Sequence, residues 1–113
     1  MHEVSIMEGA LNTATRLMKE GGGSRITRIV LTIGSLSGVV PESLDFAFRS
    51  LTSKGIAKGA TLVINSIEAR CRCESCGIDF DFTPNGYLCP QCGEPSMTLL
   101  QGRELELSTI EWI

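Results

Sequence analysis

Near the start of the chain, Ile6, Met7, Ala10, Leu11, Ala14, Leu17 and Met18 recur at steps of three and four, the spacing of one apolar helical face. Ser5 with Glu8 three places on fits a capping box, which puts the helix N-cap at Ser5 and leaves the backbone amides of residues 1–4 free for other partners. Gly21-Gly22-Gly23 is predicted to stop the helix. The period then shortens to two. In "RITRIVLTIG", Ile29, Leu31 and Ile33 fall on one face, with Ile26 and Val30 on the other, so a strand covered on at least one side is expected. Pro41 suits the first turn of a second helix, "PESLDFAFRSLTSK", whose buried stripe is Leu44, Ala47, Phe48 and Leu51. "GATLVINSIEAR" reads as a second strand. "GRELELSTIEWI" reads as a third, with Leu105 and Leu107 opposite Glu104 and Glu106.

The order helix, strand, helix, strand, cysteine segment, strand predicts a small α+β fold of three strands and two helices. The cysteine-rich stretch is inserted before the last strand. The expected division is an α+β domain of residues 1–69, completed by 99–113 as its last strand, and a ribbon of residues 70–98. The chain has 113 residues, enough for one such domain with a satellite but for only a modest core.

Charge narrows the function. Ten Lys and Arg against thirteen Asp and Glu give a net charge of −3, and Arg70, Arg72 and Arg103 are too scattered to form a basic patch. Nucleic acid is therefore not the expected partner. No apolar run has membrane-spanning length and no signal segment opens the chain, so no membrane partner and a cytoplasmic location are expected.

Five cysteines lie between Cys71 and Cys92. An odd count without a signal segment favours a metal over disulfides. Cys73, Cys76, Cys89 and Cys92 form C-x2-C-x12-C-x2-C, and Gly77 and Gly93 follow the two pairs. Pro84-Asn85-Gly86 is expected to reverse the chain between them. Four converging thiolates select zinc, or iron in a rubredoxin-like site, and leave no position for a substrate. Such a metal is structural. Cys71 is left over. It can replace Cys73 as a ligand, sense oxidation or sit at a strand end as a small hydrophobe, and the last role is favoured. Asp79 and Asp81 flank Phe80 as on an exposed strand face.

No catalytic set is present around the single histidine, His2, and Gly34 and Gly38 read as turns rather than phosphate loops, so no enzyme is expected. His2 has another use. The Met1 amine, the His2 amide nitrogen and imidazole Nδ1 can close two fused rings on one ion, and Glu3 can complete a square through its amide or its carboxylate. The amine and imidazole shed protons near about 7.7–8.0 and about 6.5. Planar nitrogen donors suit Ni(II) and Cu(II). The simpler reading is an unbound, mobile terminus.

"MHE" at residue 1, Ile33-Gly34, "LDFAF" (Leu44–Phe48), the "CESCG…CPQCG" pair and "GRELEL" together resemble the HypA/HybF family of nickel metallochaperones over essentially the whole chain. The resemblance implies Ni(II) as cargo, bound by His2 with the Met1 amine and Glu3, and structural Zn(II) on Cys73, Cys76, Cys89 and Cys92. It implies delivery to the large subunit of [NiFe]-hydrogenase, in some organisms also to urease and its maturation proteins, and a HypB-type nickel GTPase as partner. Having no other histidine, this chain cannot add a second imidazole to the nickel.

Overall fold

The computed structural model of the protein describes residues 2–82, 86–96 and 98–113. Pro84 and Asn85 of the expected chain reversal, and Met1 of the expected chelate, lie outside the described residues.

Helix α1 runs Glu3–Glu20 and buries Met7, Ala14 and Met18. It begins three residues earlier than the capping box predicts. His2 is the N-cap, no side chain caps the end, and the first helical bond runs from the Ile6 N–H to the His2 carbonyl at 3.1 Å. Ser5 is thus inside the first turn. Glu3 is the first helical residue, and its carboxylate reaches a partner on another element, as described below. At the other end, Gly22 N–H bonds the Lys19 carbonyl and Gly23 N–H the Met18 carbonyl, the paired bonds of a Schellman stop.

Strand β1 (Ile26–Gly34) is the centre of a three-stranded sheet, parallel to β2 (Thr61–Ile67). Its other neighbour is the last strand of the chain, Leu105–Trp112, which runs antiparallel. Helix α2 (Pro41–Leu51) connects β1 to β2, with Pro41 at its first helical position. Core residues from both helices and from β1 form one cluster: Met7, Ala14 and Met18 with Ile26, Ile29, Leu31, Ile33, Leu44, Ala47 and Phe48. Two expectations change here. Ile26 is fully buried in the same core as Ile29, because the pairing slips by one residue between Ile26 and Arg28 and the bulge turns Ile26 inward. Leu51, expected in the buried stripe, ends its helix 37% exposed.

The inserted segment builds a second sheet. Strand β3 (Arg70–Arg72) is flanked by β4 (Asp79–Asp81) and β5 (Thr98–Gln101), both antiparallel to it. The last strand of the first sheet is therefore β6. The second sheet continues through Gln101, so the expected boundary at 98/99 falls within β5. Arg70 faces Asp81 and Arg72 faces Asp79 across the ladder, with ion pairs at 2.5 and 2.8 Å, while Cys71 and Phe80 between them turn inward.

The two sheets meet at the turn after β1. Gly34 N–H bonds the Glu104 carbonyl at 2.8 Å, Ser35 N–H the Ile67 carbonyl at 2.9 Å and Leu36 N–H the Gly102 carbonyl at 2.7 Å. Gly34 is more than the turn residue expected. A Cβ there would lie 2.1 Å from the Gly102 carbonyl oxygen, so only glycine lets the two backbones cross. Among the described residues, no helix is long and apolar enough to cross a membrane.

Candidate metal centres

The ribbon brings Cys73, Cys76, Cys89 and Cys92 together, with their Sγ atoms all within 4.8 Å of one another and Cys73 and Cys92 at 3.6 Å. A tetrahedral ion with metal–sulfur bonds of about 2.3 Å needs sulfurs about 3.8 Å apart, which this cluster matches. The two C-x2-C segments fold alike. Gly77 N–H bonds the Cys73 carbonyl at 2.7 Å, as Gly93 N–H bonds the Cys89 carbonyl at 2.9 Å. The Cys73 and Cys89 N–H groups close each loop onto the carbonyls of Ile78 and Glu94. Both glycines have positive φ, +73° and +75°, the conformation each knuckle requires after its second cysteine.

Backbone N–H groups turn toward the sulfurs, Cys76 N–H to Cys73 Sγ and Gln91 N–H to Cys89 Sγ, each at 3.4 Å. Burial works to raise the Cys89 thiol, but the Cys92 and Gln91 amides, together with contacts to the Cys73 and Cys92 thiols, bring it down to about 7. Cys76 is pushed up to about 12, chiefly through its contact with the Cys92 thiol. Four thiols this close hold protons in common, and a divalent ion replaces those protons while satisfying every sulfur. Four ligands would close the coordination shell, so a metal bound here would offer no open position to a substrate.

Cys71 stands apart from this group. It is fully buried, opposite Phe80 on β4 and Leu99 on β5, and its burial raises the thiol pKa. It serves as a small hydrophobe in the ribbon's core.

At the other centre, His2 and Glu3 open α1. An α-helix leaves its first four N–H groups without intrahelical acceptors. The amides of His2 and Glu3 are therefore free of helical bonds even though the helix begins earlier than expected. Glu3 is not free at its side chain. Its Oε2 accepts the Val40 N–H at 3.3 Å, just before α2, and this bond, followed by one from Glu3's own amide, holds the carboxyl below its ordinary value. The first turns of the two helices thus face one another. Between them lies an open cleft of about 490 Å³, lined by His2, Glu3, Val4 and Ser5 on one side and Glu42, Ser43 and Phe46 on the other. Phe46 is 66% exposed.

Glu42, Ser43 and Phe46 were not among the sequence candidates. They lie some forty positions from His2, and no local pattern links the two stretches. Only the packing of α1 beside α2 brings them together.

A family profile described as "Hydrogenase/urease nickel incorporation, metallochaperone, hypA" matches residues 1–112. The chain is 38% identical over 113 residues to the hydrogenase maturation factor HypA of Geobacter metallireducens, covering 98% of each chain. It is 41% identical over 105 residues to that of Chlorobaculum tepidum, covering 93% of each. Its fold is similar to the solution structure of the Ni metallochaperone HypA from Helicobacter pylori, with a TM-score of 0.69 at 23% identity, covering 100% of this chain and 98% of that one. These relatives are maturation factors and metallochaperones rather than enzymes, and with a match over nearly its whole length this chain belongs to the HypA family of hydrogenase/urease nickel incorporation metallochaperones.

Proposed function

We propose that the protein carries Ni(II) on its amino-terminal residues and delivers it during maturation of [NiFe]-hydrogenase. The ligands are the Met1 amine, the His2 amide nitrogen and Nδ1, and the Glu3 amide nitrogen. The observation that carries this reading is the position of His2 at the N-cap of α1, exposed, with its own amide and that of Glu3 outside the helical ladder. A metal can take these nitrogens without unwinding a turn. The Glu3 amide is the better fourth donor, since the Glu3 carboxylate already accepts the Val40 N–H. A site at an exposed chain end also suits a carrier, which must let its ion go.

Zn(II) is assigned to Cys73, Cys76, Cys89 and Cys92, where it fixes the ribbon sheet of β3, β4 and β5 as an arm of the nickel-binding α+β unit. The hydrogenase large subunit and a HypB-type nickel GTPase are the partners, with urease maturation proteins as further clients, in the cytoplasm.

Metal analysis with nickel titration of the untagged protein tests the reading. The expected result is one zinc and one further nickel per chain. A red, iron-loaded protein, or no nickel beyond the cysteine site, would overturn it.

A further inference from the structure

We infer that the free edge of β2 pairs with β2 of a second copy of this chain, joining two three-stranded sheets into one about a two-fold axis. The inference is independent of the amino-terminal site. β2 and β6 are the outer strands of their sheet, and each has β1 as its one neighbour there. An edge strand offers unpaired N–H and C=O groups, and proteins guard such edges with charge, proline or bulges. The two edges differ in this respect. β6 carries Glu106 and Glu111, and its pairing with β1 slips between Val30 and Leu31. β2 reads TLVINSI, without a charge or a proline, and its register with β1 is unbroken from Arg28↔Thr61 to Gly34↔Ile67.

The backbone of β2 fixes how a copy would sit. The Ile67 carbonyl accepts the Ser35 N–H at 2.9 Å, so Ile67 turns its groups toward β1. Successive residues of a strand alternate, which turns those of Leu62, Ile64 and Ser66 outward. An antiparallel partner centred on Ile64 sets Ile64 against Ile64 of the copy, and Leu62 against Ser66 of the copy. Every outward group then meets an outward group. Charge favours a copy at this edge over the other. Self-pairing of β6 about Ser108 and Thr109 would set Glu106 against Glu111 of the copy, and like charges directly opposite are destabilising. At β2 no charges oppose. Beside Leu62 and Ile64 lies an open recess of about 420 Å³, whose helical wall carries Asp45 and Arg49 one turn apart. The two-fold sets the α2 helices side by side and antiparallel, so each acid faces the other copy's guanidinium. Both helical layers then lie on one side of the joined sheet, and both clefts between α1 and α2 open on that side. One strand pair buries little area, so the dimer is weak and concentration-dependent.

The test is sedimentation velocity of the full-length, zinc-loaded protein under reducing conditions over a concentration series, with amide exchange measured at both ends of the series. The parent is compared with Ser66→Pro, Asn65→Lys and Glu106→Lys. Ser66 is exposed and its N–H points away from β1, so proline removes an outward donor and spares the ladder within the sheet. Asn65 is exposed, and lysines there would stand close together across the axis, which keeps the test in force should the proline variant fail to fold. The expected result is a dimer whose fraction grows with concentration, is lost in Ser66→Pro and Asn65→Lys, and persists in Glu106→Lys. In the parent, exchange at Leu62, Ile64 and Ser66 should slow by the factor by which free monomer falls, while Val63 and Asn65, already bonded to β1, keep their rates. A chain that is monomeric at every concentration overturns the inference. So does a dimer whose Leu62, Ile64 and Ser66 amides exchange as in the monomer, or one that Glu106→Lys strengthens and Ser66→Pro leaves unchanged, which would place the contact on β6.

Discussion

Glu3 Oε2 accepts the backbone N–H of Val40 at 3.3 Å and so ties the first residue of one helix to the N-cap of the other. Val40 has no side-chain cap of its own, and a carboxylate at that point also faces the positive end of the α2 dipole. The contact holds the first turn of α1 against the cleft. Because it lowers the Glu3 pKa, it is fully present above the ordinary carboxylate range and fades as pH falls below that range. The Val40 amide proton should titrate with this carboxyl in NMR, and Glu3→Gln should abolish the titration while leaving nickel affinity near the parent's. A large loss of nickel in Glu3→Gln would make the carboxylate itself a ligand.

Extending the chain by a few residues before Met1 should abolish tight nickel binding while fold and zinc survive. The extension turns the terminal amine into an amide, so two fused chelate rings become one and the imidazole is left as a single weak donor. Acid should act in the same direction, because protons compete with the ion for the same nitrogen donors. Calorimetry on tagged and untagged protein decides the matter, and equal affinities would rule out the first three residues.

Cys89→Ala should loosen the ribbon much more than the helix-covered sheet. Cys89 is 2% exposed, lies in the ribbon's small core and anchors one knuckle through both its N–H and its carbonyl. Metal binding in small zinc domains supplies folding free energy on the order of 10 kcal/mol, and three sulfurs retain only part of it. Amide exchange should quicken from Arg70 to Gln101 while Ile29 and Leu31 stay protected. Unchanged protection with one tightly held zinc would mean that Cys89 is not a ligand.

Gly34→Ala should destabilise the junction between the sheets. The added methyl would meet backbone, the Gly102 carbonyl at 2.1 Å, and backbone at a strand end gives little. Overpacking of this kind costs roughly 1–3 kcal/mol, read as a lower urea midpoint. A variant as stable as the parent would show that the crossing can open without loss.

The spacing of apolar side chains by itself determined the two helices and the three strands of the covered sheet. Helix and strand periods are local, and each is written within some ten residues. The cysteine centre was legible for the same reason. Each C-x2-C-G knuckle is a local fold, and two identical knuckles leave one geometry in which four sulfurs meet. The fold's remaining features are relations between distant segments. Ile26 turned inward because a bulge slipped the pairing of β1 with β6, and pairing partners are chosen by the whole sheet. Glu3, first in α1, takes its partner from Val40, a residue 37 positions away that no capping pattern includes. Gly34 read as a turn until Gly102 was laid across it. The cleft belongs to this second kind. "MHE" announces donor atoms, but only the docking of α2 beside α1 decides that Glu42 and Phe46 stand opposite His2. Periodicity specifies which face of an element is buried. It carries no information about which other face lies across from it, because that is set by the sum of packing contacts throughout the core.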